Sequence, residues 1–132
     1  MNRPAPPRVL IVDDNDLTRS ALHLMLSHDF EVVGEATNCR SGLAMCLKER
    51  PDIVCLDIQL PDGNGLDILA SIKDALPATA VLMVTASNDL DTIKSAIARG
   101  AAGFILKPFT PGTVHDAMLK AVASLKRPHQ GA

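Results

Sequence analysis

Apolar residues gather in short unbroken runs along this chain, and four of the runs end on a polar group. Val9-Leu10-Ile11-Val12 leads into Asp13-Asp14, and Ile53-Val54-Cys55-Leu56 leads into Asp57. Ala80-Val81-Leu82-Met83-Val84 ends in Thr85, and Gly103-Phe104-Ile105-Leu106 ends in Lys107-Pro108. Such runs, bounded by turn residues, read as strands buried on both faces, as in a parallel sheet. A further run, Phe30 to Ala36, carries Glu31 and Glu35 and suits an edge position.

Between the strands the apolar period changes to that of a helix. The spacing predicts a first helix from about Asp16 to His28, with Leu17, Ala21, Leu24 and Met25 inward and Asp16 near its positive end. Asn38 caps a second helix to about Arg50 that buries Leu43, Ala44 and Leu47, and Pro51 stops it. After a Pro61-to-Gly65 turn, Leu66, Leu69, Ile72 and Leu76 mark a third helix that ends at Pro77, and the next strand is expected over Thr79 to Val84. Ser87, Asn88 and Asp89 offer caps for a fourth helix over Leu90 to Arg99, with Ile93, Ala96 and Ile97 inward and Gly100 as its stop. Thr110-Pro111 opens a fifth, with Val114, Ala117, Met118, Ala121, Val122 and Leu125 on one stripe. Five strands alternating with five helices predict an α/β architecture, a doubly wound five-stranded parallel sheet.

In that architecture the chemistry sits outside the carboxyl ends of the strands. If the four runs are parallel neighbours, three carboxylates, one hydroxyl and one ammonium converge on one rim. This set resembles the receiver domain of two-component response regulators, of the kind found in chemotaxis regulators. Asp13-Asp14, Asp57 with Leu60-Pro61-Asp62-Gly63 and Gly65, Thr85-Ala86 and Lys107-Pro108 stand in the family's order and spacing. The resemblance runs from about Arg8 to Leu125, and it implies the flavodoxin-like strand order 2-1-3-4-5. The receiver domain is expected over residues 8–126, with 1–7 and 127–132 as flexible termini.

Composition narrows the alternatives. The 132 residues fit one domain, 47% of them are hydrophobic, and 15 acidic against 13 basic residues give a formal charge of -2, so nothing suggests a nucleic-acid surface. Three Phe with no Trp or Tyr remove the stacking platforms of single-strand binders. Cys39, Cys46 and Cys55 are odd in number and lack a CxxC spacing, which fits a reducing cytoplasm. The Pro-rich start lacks an apolar core for a signal peptide, and no apolar stretch is long enough to cross a membrane.

Carboxylates crowded on one rim need a counter-charge, since at about 4 Å and an effective dielectric near 20 two like charges repel by roughly 4 kcal/mol. Hard oxygen ligands of this kind suit Mg²⁺ or Mn²⁺. Asp57 can act as a nucleophile toward a phosphoryl group. Such a transfer asks mainly for positioning and for positive charge near the equatorial oxygens. Thr85 can donate its hydroxyl there, Ala86 leaves room, and Lys107 can pair as a point charge. The resemblance implies further roles: metal contacts from Asp14, Asp57 and the carbonyl of Gln59, with Asp13 acting through water. It also implies a switch made by Thr85 and Phe104, and tuning of the phosphoryl lifetime by Gln59 and Ser87.

The expected function is a phosphorylation-activated receiver, fed by a histidine kinase or histidine phosphotransfer protein. It signals to a downstream protein target or an effector domain through the fourth helix, fifth strand and fifth helix, a face that can also form a homodimer. It is expected to catalyse only its own phosphorylation and dephosphorylation, without contacting nucleic acid or membrane. Two alternatives stand beside it: a receiver-shaped interaction module without phosphorylation, and an aspartyl-nucleophile phosphatase. The phosphatase is disfavoured because Gln59, where a second acid would be needed, cannot serve as a general acid. A dinucleotide loop at Gly63-Asn64-Gly65 fails at Ile68, where its third glycine should stand. A flavin carrier fails on the acidic first loop. His23, His28, His115 and His129 are scattered without ligand spacing.

Overall fold

Strands that are apolar on both faces can be covered only by helices packed on both sides, and the computed structural model, which describes residues 5–125, has that arrangement. Along the chain lie β1 (Arg8–Val12), α1 (Asp16–Leu26), β2 (Glu31–Ala36), α2 (Cys39–Glu49) and β3 (Ile53–Asp57). They are followed by α3 (Gly65–Ala75), β4 (Ala80–Thr85), α4 (Leu90–Ala98), β5 (Gly103–Leu106) and α5 (Pro111–Leu125). All five strands pair in parallel in the order β2-β1-β3-β4-β5, and β2 with its two glutamates is at an edge as expected. A two-residue antiparallel ladder, Gln59–Leu60 against Gly63–Asn64, adds to the strands the pattern predicts and stiffens the turn between β3 and α3. Residues 1–4 and 126–132, which hold most of the expected flexible lead-in, the domain's last residue and the tail, lie outside the described residues.

Alternate residues of each strand feed two cores. Leu10, Val12, Val54, Leu56, Val81 and Met83 pack with α2, α3 and Ala96 of α4. Val9, Ile11, Ile53, Cys55, Leu82, Val84 and Ile105 pack with Leu22 and Leu26 of α1 and with Val114, Ala117, Met118 and Ala121 of α5. Among the described residues no helix is long and apolar enough to cross a membrane.

Caps set the helix starts. Asn15, Asn38, Asn64 and Asp89 each precede a helix and accept a hydrogen bond from a first-turn N–H, so of the three candidates before α4 it is Asp89 that caps. The fifth helix starts at Pro111, and of its expected stripe Val114, Ala117, Met118 and Ala121 are buried while Val122 and Leu125 are only partly so.

Helix faces are where the fold departs from the pattern. On α1 the buried residues are Leu22 and Leu26, while Leu17 and Leu24 are 82% and 75% exposed, and the helix ends at Leu26 rather than His28. Leucines lie all round this helix, so the period offers two stripes, and tertiary contacts choose between them. On α2 Ala44 is exposed and Leu47 is 49% exposed, and the residues facing the sheet are Gly42 and Cys46. A Cβ on Gly42 would stand 2.9 Å from Val12 Cγ1, so the helix lies too close to β1 for a larger side chain, and hydrophobicity alone ranks this face wrongly. Ile97 of α4 is likewise turned out, 59% exposed, and Ala96 takes the core position. Two strands differ by a residue from the prediction: β2 begins at Glu31 but ends at Ala36 as expected, and β4 is shifted by one to Ala80–Thr85.

Candidate functional site

Register brings the four polar strand ends to one rim. Val12 pairs with Leu56, Asp57 with Val84, and Thr85 with Leu106, so Asp13, Asp57, Thr85 and Lys107 follow one another across adjacent strands. Above them opens a cleft of about 780 Å³, lined by Asp14, Asn15, Asp57, Gln59, Thr85, Ala86, Ser87 and Lys107 among others. Phe104 is not among its lining residues. It pairs with Met83 on β4, is half-buried against the core under α4, and borders a separate groove with Thr113, Asp116 and Lys120 of α5.

Asp13 is 1% exposed and almost fully tied down. Its N–H donates to Ala36 O at 3.0 Å, its Oδ1 accepts from Asn15 N at 2.8 Å, and its carbonyl accepts from Arg19 Nη1 at 2.9 Å. Only Oδ2 has no hydrogen-bond partner. Lys107 Nζ approaches that oxygen to 3.0 Å, an ion-pair contact without hydrogen-bond geometry, and donates a hydrogen bond to Asp57 Oδ2 at 3.3 Å. The backbone holds the lysine in place, because Lys107 N donates to Thr85 O at 2.9 Å. The Lys107–Pro108 peptide that follows is cis.

Electrostatics at the rim are unbalanced. Burial, and then the charge of Asp13, push the Asp57 carboxyl above its usual range, and Lys107 offsets this only in part. Burial works to lower the Lys107 ammonium, but the Asp13 and Asp57 carboxylates outweigh it and hold its pKa above the ordinary lysine value. One oxygen from each of Asp13, Asp14 and Asp57 lies within 4.8 Å of the others. An all-oxygen donor set with a buried orphan oxygen suits a hard divalent cation such as Mg²⁺ or Mn²⁺, which would relieve the repulsion.

The remaining expected residues fall in place around this centre. Thr85 is buried, and its Oγ1 accepts from Ser87 N at 3.0 Å, which leaves the hydroxyl proton free to donate into the cleft. Gln59 is exposed on the ladder strand and lines the cleft, as does Ser87. Gly65 closes the turn beneath them, its N–H donating to Ile58 O at 2.6 Å. A Cβ there would meet Asp57 O at 2.1 Å, so this close approach admits glycine alone. Asp62 of the same turn accepts from Cys39 N at 2.7 Å and Arg40 N at 3.0 Å, which clamps the turn to the start of α2 and holds the Asp62 carboxyl below its usual range.

Sequence reasoning missed Arg19, Glu35 and Asn15. A signal existed for Arg19: a cation in the first turns of a helix opposes the macrodipole, and so asks for an anionic partner.

A family model for the response regulator receiver domain matches residues 9–119. The chain belongs to the response-regulator receiver family. The receiver is 38% identical over 114 residues to the chemotaxis protein CheY of Thermotoga maritima, covering 86% of this chain and 95% of that protein. It is 30% identical over 125 residues to the nitrate/nitrite response regulator protein NarL of Escherichia coli, covering 93% of this chain but 58% of NarL, so the receiver spans little more than half of that relative. Among solved structures, the signal receiver domain of NarL from Mycobacterium tuberculosis superposes with a TM-score of 0.84 at 31% identity, covering 94% of this chain and 100% of that one. Chemotaxis protein CheY4 of Vibrio cholerae does so with a TM-score of 0.82 at 28% identity, covering 89% and 99%. The receiver therefore has the CheY-like fold, with the strand order that the resemblance implies.

Proposed function

We propose that the receiver is a phosphorylation-operated switch in which Asp57 accepts a phosphoryl group from a partner's phosphohistidine. The observation that carries this reading is the meeting of Asp57 with Lys107 at 3.3 Å and with the Asp13 and Asp14 oxygens within 4.8 Å, at the floor of an open cleft. An Asp57 carboxylate oxygen forms the new O–P bond as the donor's P–N bond breaks, and the histidine leaves with that electron pair. Lys107 and the Thr85 hydroxyl serve the equatorial phosphoryl oxygens, and Ala86 leaves space for them. Asp14, Asp57 and the Gln59 carbonyl, with Asp13 through water, would hold a Mg²⁺ here, which would supply charge neutralisation for the transferring group. Gln59 and Ser87 flank the phosphoryl group and govern how readily water reaches it.

The product carries roughly -1.5 to -2 extra charge, and its pull on Thr85 is the signal. Movement of Thr85 vacates space beside β4 into which Phe104 turns, and this alters the face made by α4, β5 and α5. Leu90 and Ile97 on α4 and Leu106 on β5 are exposed apolar residues on that face, which supports docking of a downstream protein, of an effector domain or of a second copy. On this reading the receiver works in the cytoplasm, where its three free thiols stay reduced, and contacts neither nucleic acid nor membrane. It turns over no outside substrate and catalyses only its own phosphorylation and dephosphorylation.

Intact-protein mass spectrometry after incubation with acetyl phosphate, with and without Mg²⁺ and beside Asp57→Asn, tests the reading. One phosphoryl addition that needs both metal and Asp57 is the expected result. Wild-type labelling of Asp57→Asn refutes the site. Absence of labelling under every condition leaves a receiver-shaped interaction module, and multiple turnover of phosphate esters leaves a phosphatase.

A further inference from the structure

Arg19 lies outside the cleft, yet it grips the loop that carries the acid pair. Its side chain is 14% exposed and each arm of the guanidinium has its own acceptor. Nη1 donates to the Asp13 carbonyl at 2.9 Å, Nε to Glu35 Oε1 at 3.2 Å, and Nη2 to Asp16 Oδ1 at 2.5 Å. Glu35 is in turn held through Oε2, 2.7 Å from His23 Nδ1. The carbonyl that Arg19 holds belongs to the peptide joining Asp13 to Asp14, so one hydrogen bond fixes the plane from which both carboxylates project. The same strand grips the loop twice, directly through Ala36 O on Asp13 N and indirectly through Glu35 on Arg19.

We infer that Arg19, aligned by Glu35, is a positioning residue for the acid pair, and that this fork sets how tightly the site takes a divalent cation. The inference rests on the receiver reading of the site. It has a sign that separates it from simple electrostatics. Arg19 is a cation near a cation site, so on Coulomb grounds its removal tightens metal binding. If Arg19 positions the ligands, its removal loosens binding. Loss of an outer partner that orients metal ligands typically costs about 10-fold to 100-fold in affinity.

The test is calorimetric titration of the full chain with Mn²⁺, chosen because the chain has no Trp or Tyr to report binding by fluorescence. Arg19→Gln should bind Mn²⁺ about tenfold more weakly or worse, with unchanged far-ultraviolet circular dichroism. Without metal, its Asn15 amide, which is bonded to Asp13 Oδ1, should exchange hydrogen faster than in wild type. Glu35→Gln, which leaves Arg19 its other two acceptors, should shift both readouts the same way by less, and it decides the matter if Arg19→Gln does not fold. Equal or tighter Mn²⁺ binding in the folded variants, with wild-type exchange at Asn15, overturns the inference. Asp13→Asn separates the two levels. If it loses Mn²⁺ while the Arg19 and Glu35 variants keep it, only the positioning role fails; if it binds as wild type does, the metal site fails and the inference with it.

Discussion

Replacing Gly65 by alanine would place a methyl carbon 2.1 Å from the carbonyl oxygen of Asp57 and 3.0 Å from Ile58 Cα. Both obstacles are backbone, so no rotamer change relieves them. A carbon and a carbonyl oxygen need roughly 3.3 Å, so β3 and the start of α3 must part by about 1 Å. That movement breaks the 2.6 Å hydrogen bond from Gly65 N to Ile58 O, which closes the turn. Overpacking against yielding side chains costs about 1–3 kcal/mol, and the lost hydrogen bond about 1 kcal/mol more. The sum, about 2–4 kcal/mol, corresponds to a fall of roughly 6–16 °C in Tm for a domain of this size. Thermal melting followed by far-ultraviolet circular dichroism measures it, with Gly112→Ala as the control. There the added Cβ meets only Thr110 Oγ1 at 3.8 Å, an ordinary contact, and the helix loses no stability. A Gly65→Ala melt within about 2 °C of wild type would refute the steric account of this turn. Because the displaced carbonyl belongs to Asp57, labelling by acetyl phosphate should fall with stability.

Three further outcomes follow from the charges and thiols. Asp57→Asn should raise the Tm of the metal-free protein near neutral pH, since burial and Asp13 make the carboxylate costly. Because folding raises this carboxyl's pKa, the stability it contributes is complete below its ordinary value of 3.8 and is lost as pH rises through the raised one, so the advantage of the variant should shrink in melts at lower pH. Lys107→Ala leaves Asp13 and Asp57 without their shared cation and should cost about 2 kcal/mol in metal-free denaturant titrations. The same variant should bind Mg²⁺ more tightly by calorimetry, because a competing positive charge has gone. Burial pushes the Cys46 and Cys55 thiols up to about 12, and burial with Asp62 pushes Cys39 up to about 11. An aromatic disulfide reagent at pH 8 should therefore label the native chain slowly and all three thiols rapidly once unfolded; fast native labelling of Cys55 would contradict its burial.

Much of the site was legible in the order of the chain. A strand buried on both faces leaves an unmistakable apolar run, and the residue that ends it must lie on the rim, so Asp13, Asp57 and Thr85 could be placed together without coordinates; Lys107 follows a similar run, although β5 proves to be an edge strand with only Ile105 buried. The Asn38 cap was legible for the same local reason, since a cap acts within three residues of itself, whereas Asn15 and Asn64 cap their helices without having been singled out. The outward turn of Leu17, Leu24, Leu47 and Ile97 was not. Periodicity finds a stripe, but which stripe faces the sheet depends on how closely the helix can approach, and at α2 that is settled by Gly42 against Val12.

The sequence by itself thus determined the parallel sheet, its edge at β2 and the identity of the residues at the rim, because strand burial and strand ends are local properties of a linear pattern. Only the tertiary structure decided how those residues are held. Arg19 reaches Asp13 and Glu35, Asp62 reaches the start of α2, and Lys107 spans Asp13 and Asp57. Most of these contacts join residues far apart in the chain, and their geometry is fixed by strand register and packing, which no single segment encodes.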